Sequence, residues 1–215
     1  MFLTKMDEQK ARLFLKIRKS CSSDSRILNA MELTSREEFI SNTFIGRSFE
    51  DIPLPIECDQ TVSQPSLVAL MINQLEIPKR SKVLEIGTGS GFQSAILAKL
   101  ASRVYSLERH NTLVISAKER LSRLDISNVT IVLGDGFLGY KNQAPFDRII
   151  VSAAVEEIPK ILLDQLKIDG IMVLPVGLPN EEQTLLKVTK RPKSLDIKEI
   201  LRVRFVQMLE GISKD

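Results

Sequence analysis

The chain has no tryptophan, one histidine, two cysteines and two tyrosines in 215 residues. Each scarcity excludes a class of protein. His110 alone cannot build a multi-histidine metal centre, and a Ser-His-Asp triad would have to recruit that single residue. Cys21 and Cys58 cannot make a disulfide framework and lack the paired spacing of a zinc site. Few aromatics argue against a surface built to stack single-stranded bases. No apolar run reaches the roughly 18 residues of a membrane span, so none is expected. The N-terminal MFLTKMDEQKARLFLKIRK interrupts every apolar stretch with charge and does not read as a signal peptide, so with two free thiols a cytoplasmic location is expected.

What is present is ordinary for a soluble globular chain, with 43% hydrophobic and 27% charged residues. The net charge of +3 is too small to demand an acidic partner. At about 150 residues per domain, this length predicts one large domain. Residues 7–19 place Leu13, Phe14 and Ile17 among charges, the pattern of an amphipathic helix. Residues 25–40 read as short helical pieces, and residues 46–65 as a long ordered loop with Pro53, Pro55 and Pro65. Ser63 precedes a helix in which Leu67, Leu70, Met71 and Leu75 share a face, and N-capping is the plain structural role for that serine.

From residue 82 the rhythm becomes regular. Strands at 83–86, 103–108, 128–133, 146–153 and 170–177 alternate with helices at 91–101, 111–124 and 160–167. Two further strands, TLLKVTK and IKEILRVRFVQM, follow with no helix between them. The reading is α/β: a doubly wound, mostly parallel seven-stranded sheet, helices on both faces, ending in an antiparallel pair.

The chemistry concentrates at V-L-E-I-G-T-G-S-G, where Gly87, Gly89 and Gly91 join a buried strand to a helix. A dinucleotide fingerprint is G-x-G-x-x-G, and a P-loop ends in G-K-[ST]; neither spacing is met. Glu85 stands two residues before the first glycine, Glu108 ends the next strand, and Asp135 follows the third in G-D-G. Singly, Glu108 is a solvated strand-end charge and Asp135 a turn aspartate. Together, three acids at the carboxyl ends of successive strands suit a cationic nucleoside rather than a phosphate. S-adenosylmethionine is such a nucleoside.

The sequence resembles the protein-L-isoaspartate O-methyltransferases from about Asn29 to Met208. The most specific segment is D-Q-T-V-S-Q-P-S at 59–66, similar to the signature Q-T-[IV]-S-x-P. V-L-E-I-G-T-G-S-G-F-Q (83–93), G-D-G-F-L-G (134–139), A-P-F-D-R-I-I-V-S-A-A (144–154), L-P-V-G (174–177) and V-R-F-V (203–206) also match family blocks. The resemblance implies a Rossmann-like class I methyltransferase, in which residues 1–80 carry N-terminal helices and the active-site loop and residues 81–215 the donor-binding core. It implies transfer of a methyl group from S-adenosylmethionine to the α-carboxylate of L-isoaspartyl residues in damaged proteins and peptides. The ester then closes to a succinimide that opens partly to normal aspartate, which is repair.

By the same resemblance, Ser63 is the active-site residue, positioning the carboxylate through its hydroxyl. Gln60, Thr61 and Ser63 would form a lid over the donor. Gly87, Gly89 and Gly91, with Glu85 nearby, would wrap its methionine part, Glu108 its ribose, and Asp135 and Gly136 its adenine. Ser152 and Ala153, with Val203, Arg204, Phe205 and Val206, would form the peptide-binding wall. No metal is implied, no membrane or nucleic-acid partner is expected, and a monomer is favoured. The chain departs from the family pattern at Thr34-Ser35, Asp59, Ser66 and Gln207. Two alternatives stay open. The basic clusters at 10–26 and 187–204 would suit a nucleic-acid methyltransferase, and the departures would suit a non-catalytic cofactor-binding relative.

Overall fold

The computed structural model describes residues 5–20 and 24–214, so Cys21 lies outside the described residues. Helix α1 (Lys5–Ser20) buries Leu13 and Ile17, and Asp7 and Glu8 in its first turn with Arg18 and Lys19 in its last complement the helix dipole. Helix α2 (Ser25–Glu32) starts at Asp24, whose carboxylate accepts the Arg26 N–H at 2.9 Å. Two short 3-10 turns, Arg36–Phe39 and Asn42–Arg47, follow.

The expected loop at 46–65 contains a small antiparallel hairpin of β1 (Leu54–Pro55) and β2 (Thr61–Val62). Its turn carries Cys58 and Asp59 at φ of 60° and 56°. Two successive left-handed residues define a type I′ turn, where glycine is easiest and aspartate is better tolerated than most. Asp59 is therefore compatible with this hairpin. Helix α3 (Pro65–Leu75) follows with proline at its first position, where a missing N–H costs nothing. The buried side of α3 is Val68, Ala69, Met71, Ile72 and Leu75; Leu67 and Leu70 of the expected face are only half-buried, because the helix packs between α1 and the sheet.

Strands β3 (Lys82–Ile86), β4 (Arg103–Glu108), β5 (Val129–Leu133) and β6 (Phe146–Val151) alternate with α4 (Phe92–Leu100) and α5 (Asn111–Arg123). Helix α6 (Lys160–Asp164) is shorter than the sequence suggests. The Gln165 carbonyl accepts the Phe146 N–H, and sheet pairing takes over from the helix, so that β7 (Leu166–Val176) begins four residues early. Strands β8 (Gln183–Lys190) and β9 (Leu195–Val203) complete the sheet. The order is β5-β4-β3-β6-β7-β8-β9, parallel through β7 and antiparallel at β8 and β9.

Period-two alternation splits the strands between two cores. Val83, Val104, Ile131, Ile150 and Val173 pack with α1 to α5 on one face. Leu84, Leu107, Ile149, Val151, Met172 and Leu174 pack with Leu162 of α6, Phe137, Tyr140 and Met208 on the other. Helices cover both faces, but five of the six α-helices among the described residues lie on the first. Among the described residues no helix is long and apolar enough to cross a membrane.

Candidate functional site

From β3 the chain winds outward to β4 and β5, then returns to the other side of β3 as β6. Such a switch of direction leaves a crevice at the carboxyl ends of the strands. A cleft opens there, lined by the glycine turn, the strand ends and the segment before α3. Gly87, Gly89 and Gly91 turn at φ of 90°, 54° and 89°, a region side chains avoid, and the first two border the cleft. At Gly87 an added Cβ would lie 3.4 Å from the Cβ of Ser152 on the facing wall.

Glu108 decides what this turn can bind. Its carboxylate accepts the N–H of Gly89 at 2.9 Å, of Arg109 at 2.8 Å and of His110 at 3.1 Å. In a phosphate-binding loop the glycine-turn N–H would serve the ligand; here it is held by a carboxylate. The negative group at the cleft suits ligand hydroxyls and positive charge. Gly136 borders the same cleft, and an added Cβ there would come within 2.5 Å of Ile86.

Glu85, by contrast, does not line the cleft. It is fully buried beneath the glycine turn, on the strand face covered by α4. Ser94 Oγ and Ser106 Oγ donate to its Oε2, the latter at 2.6 Å, and Gln93 Nε2 donates to its Oε1 at 2.9 Å. Burial pushes its carboxyl up to about 7, against the lowering effect of those three donors and with a smaller push from Glu108. The folded value lies above the unfolded one of about 4.5, so the folded state holds an extra proton between the two. Stability should therefore fall as pH rises from 4.5 to 7, by on the order of 3 kcal/mol relative to Glu85→Gln, with the loss complete above 7. Urea denaturation of both proteins across that range measures the difference, and parallel pH profiles would contradict it.

The hairpin and start of α3 bring Gln60, Thr61 and Ser63 to the cleft mouth. Ser63 is not the N-cap: Gln64 occupies that position and makes no side-chain cap bond. The capping acceptor comes from outside the helix, where Asp51 accepts the N–H of Ser66 at 2.9 Å and its hydroxyl at 2.8 Å. Burial works to raise Asp51, but the bonds from Lys16, Ser66 and Gln64 prevail and hold its carboxyl below the usual range. Ser66 is thus buried in the scaffold and does not border the cleft. Arg36, almost wholly buried, donates to the carbonyls of Ser48, Glu50, Ile52 and Ser63.

Of the remaining expected residues, Ser152, Ala153 and Val206 line the cleft, while Gly91 lies behind it, facing Ala117. Asp135 turns its carboxylate away, accepting the N–H of Phe137 at 2.8 Å and of Gly211 at 2.8 Å. Val203, Arg204 and Phe205 do not border the cleft: β9 ends at Val203, and the Phe205 N–H is held by Gln183. The wall expected from V-R-F-V is formed three residues later, by Val206, Gln207, Met208 and Leu209, with Val206 common to both. This tail crosses the strand ends, bonding through its backbone to Ala154 and Arg109. Thr88, Ser90, Phe92, Gln93, Arg109 and His110 also line the cleft and were not singled out for it from the sequence.

The basic cluster at 187–204 is partly consumed by the fold. Lys187 pairs with Glu76, Arg191 with Asp169, and Lys190 donates to the carbonyls of Leu163 and Leu166.

The sheet order, the glycine turn and the strand-end acid define a Rossmann-like, S-adenosylmethionine-dependent methyltransferase. A family model for protein-L-isoaspartate(D-aspartate) O-methyltransferase matches residues 8–213. The chain is 51% identical to the protein-L-isoaspartate O-methyltransferase of Ruegeria pomeroyi, across 97% of each chain. Its counterpart in Parvibaculum lavamentivorans is 47% identical, over 99% of this chain and 98% of the other. A solved protein-L-isoaspartate O-methyltransferase superposes with a TM-score of 0.85 at 30% identity, covering 94% of this chain and 67% of that one. A Plasmodium falciparum structure described as a protein-L-isoaspartate O-methyltransferase with S-adenosyl-L-homocysteine gives 0.81 at 26% identity, covering 94% and 99%. The chain belongs to the protein-L-isoaspartate O-methyltransferase family.

Proposed function

We propose that this protein methylates the α-carboxylate of L-isoaspartyl residues in damaged proteins and peptides, using S-adenosylmethionine held in the cleft above β3 to β6. One observation carries the reading of the site: Gln60, Thr61 and Ser63 of the hairpin segment border the same cleft as the glycine turn and Glu108. When bound, S-adenosylmethionine supplies a methyl group on a cationic sulfur. The acceptor carboxylate, with a reference pKa near 3.5, is already ionised at neutral pH, so no protein base is required. A C–O bond forms as the C–S bond breaks, and no proton moves.

The protein's task is orientation, which can lower a barrier by roughly 7 to 11 kcal/mol. Glu108 holds the ribose hydroxyls, and Gly87 and Gly89 allow the backbone to approach the methionine part. Gly136 leaves room at the adenine. Gln60 and Thr61 cover the donor from the hairpin, while Ser63 donates a hydrogen bond to the acceptor carboxylate. Ser152, Ala153 and Val206 line the path by which the peptide enters.

Ser63→Ala is expected to lower kcat/KM for an isoaspartyl peptide by about tenfold to a hundredfold, the worth of one hydrogen bond to a charged group. Donor affinity should change less than about threefold, since the lost bond belongs to the acceptor. Steady-state kinetics with donor titration separate the two effects. The function itself is tested by following an isoaspartyl peptide through repeated cycles of methylation and ester loss. Accumulation of the normal aspartyl peptide supports repair, and its absence beside stable donor binding contradicts it.

A further inference from the structure

Buried at the junction of β3, β4 and α4, Glu85 has no direct path to a ligand, yet it connects to two walls of the cleft. On one side Gln93 Nε2 bonds both Glu85 Oε1 and Ser152 Oγ, each at 2.9 Å. On the other, Ser106 Oγ contacts Thr88 Oγ1 at 2.6 Å as well as Glu85 Oε2. With its carboxyl pushed up to about 7, Glu85 is ionised only above that pH, and an ionised carboxylate can only accept hydrogen bonds. Ser94 and Ser106 must then spend their single protons on Glu85, and Thr88 must donate to Ser106.

The same rule fixes the Gln93 amide. Its NH₂ must face Glu85, so its second N–H faces Ser152 Oγ, which accepts. The Ser152 proton is left to point elsewhere, and Ser152 borders the cleft. A neutral side chain in place of Glu85 would remove this constraint. The Gln93 amide could then turn its oxygen to Ser152 and draw the serine proton out of the cleft.

We propose that Glu85 is a positioning residue: as a buried acceptor it orients the Gln93 amide so that Ser152 presents its O–H to the isoaspartyl substrate. This rests on the isoaspartyl reading of the cleft and assigns Ser152 a donor role within it. Glu85 touches neither substrate nor donor and acts through one intermediary.

The test, run at about pH 8.5 where Glu85 is ionised, is a cycle of Glu85→Gln, Ser152→Ala and the double variant, assayed for peptide KM and, separately, for S-adenosylhomocysteine affinity. Glu85→Gln preserves shape and removes only the acceptor-only property. Glu85→Gln and Ser152→Ala should each raise peptide KM about tenfold or more, the worth of a hydrogen bond to an ionised acceptor. The double variant should be no worse than Ser152→Ala alone, and product affinity should stay within about threefold. Additive effects on KM, or an equal loss of product affinity, would overturn the assignment. If Glu85→Gln does not fold, Gln93→Met removes the same N–H and should raise KM alike; an unchanged KM there is equally fatal. A wild-type protein that methylates no isoaspartyl peptide would overturn the functional reading itself, which this cycle tells apart from failure of Glu85 alone.

Discussion

Glu108→Ala is expected to weaken binding of S-adenosylmethionine by about a hundredfold or more. One hydrogen bond from a ribose hydroxyl to a carboxylate is worth roughly 1.5 to 3 kcal/mol, and the rest of the loss comes from the turn. The variant also strips the acceptor from the N–H groups of Gly89, Arg109 and His110, so the turn loses the group that shapes it. A carboxylate offers about four acceptor sites, and the three backbone donors leave about one for the ligand. Glu108→Gln should fall between, because an amide presents one acceptor oxygen instead of two. Calorimetric titration with S-adenosylhomocysteine checks both. A loss below about threefold for Glu108→Ala would remove this side chain from the donor site.

Arg36→Ala should destabilise the fold by about 3 to 5 kcal/mol, since buried polar groups left unpaired cost about 1 to 3 kcal/mol each and water can reach some of those exposed here. Four carbonyls, those of Ser48, Glu50, Ile52 and Ser63, converge on this one guanidinium. They span the segment before the hairpin and Ser63 at the cleft, so one cation gathers both ends of the loop. Burial lowers Arg36 to about 10, opposed by the charges of Asp51 and Glu50, and it stays protonated across the neutral range. The loss should therefore be independent of pH between about 5 and 8. Arg36→Lys should recover only part of it, because an ammonium lacks the planar fork that reaches separate carbonyls. Urea denaturation at two pH values measures both. A loss under about 1 kcal/mol would mean that the loop is held by something else.

Both side chains show why some of the site was legible in the sequence and some was not. The strand and helix alternation from residue 82 follows from local patterns of period two and 3.6, and it transfers to the structure with few changes. The glycine turn was equally visible, because close backbone approach demands a specific residue type. Glu85 was misplaced for a reason of packing. Its position on the face of Val83 could be counted, but how closely α4 seals that face depends on side chains eight and nine residues later. The resemblance places Asp135 at the adenine, whereas its carboxylate is held by Gly211 from a tail 76 residues away. Val206 is expected in the wall through the resemblance, but nothing local announces that the wall runs on through Gln207, Met208 and Leu209. The truncation of α6 was likewise set by pairing with Phe146, a long-range event.

The departures from the family pattern find structural homes of the same kind. Asp59 occupies a left-handed turn position, and Ser66 is bonded to Asp51, away from the cleft. Gln207 lines the cleft within the tail, where the backbone of the flanking residues pairs with Ala154.

The most direct test of the whole account is transfer of labelled methyl from S-adenosylmethionine to two peptides that differ only in one residue, isoaspartate in one and aspartate in the other. The account predicts label in the isoaspartyl peptide, lost on mild base as an ester, and none in its partner. Equal labelling of both peptides, or of neither while donor binding is intact, would contradict it.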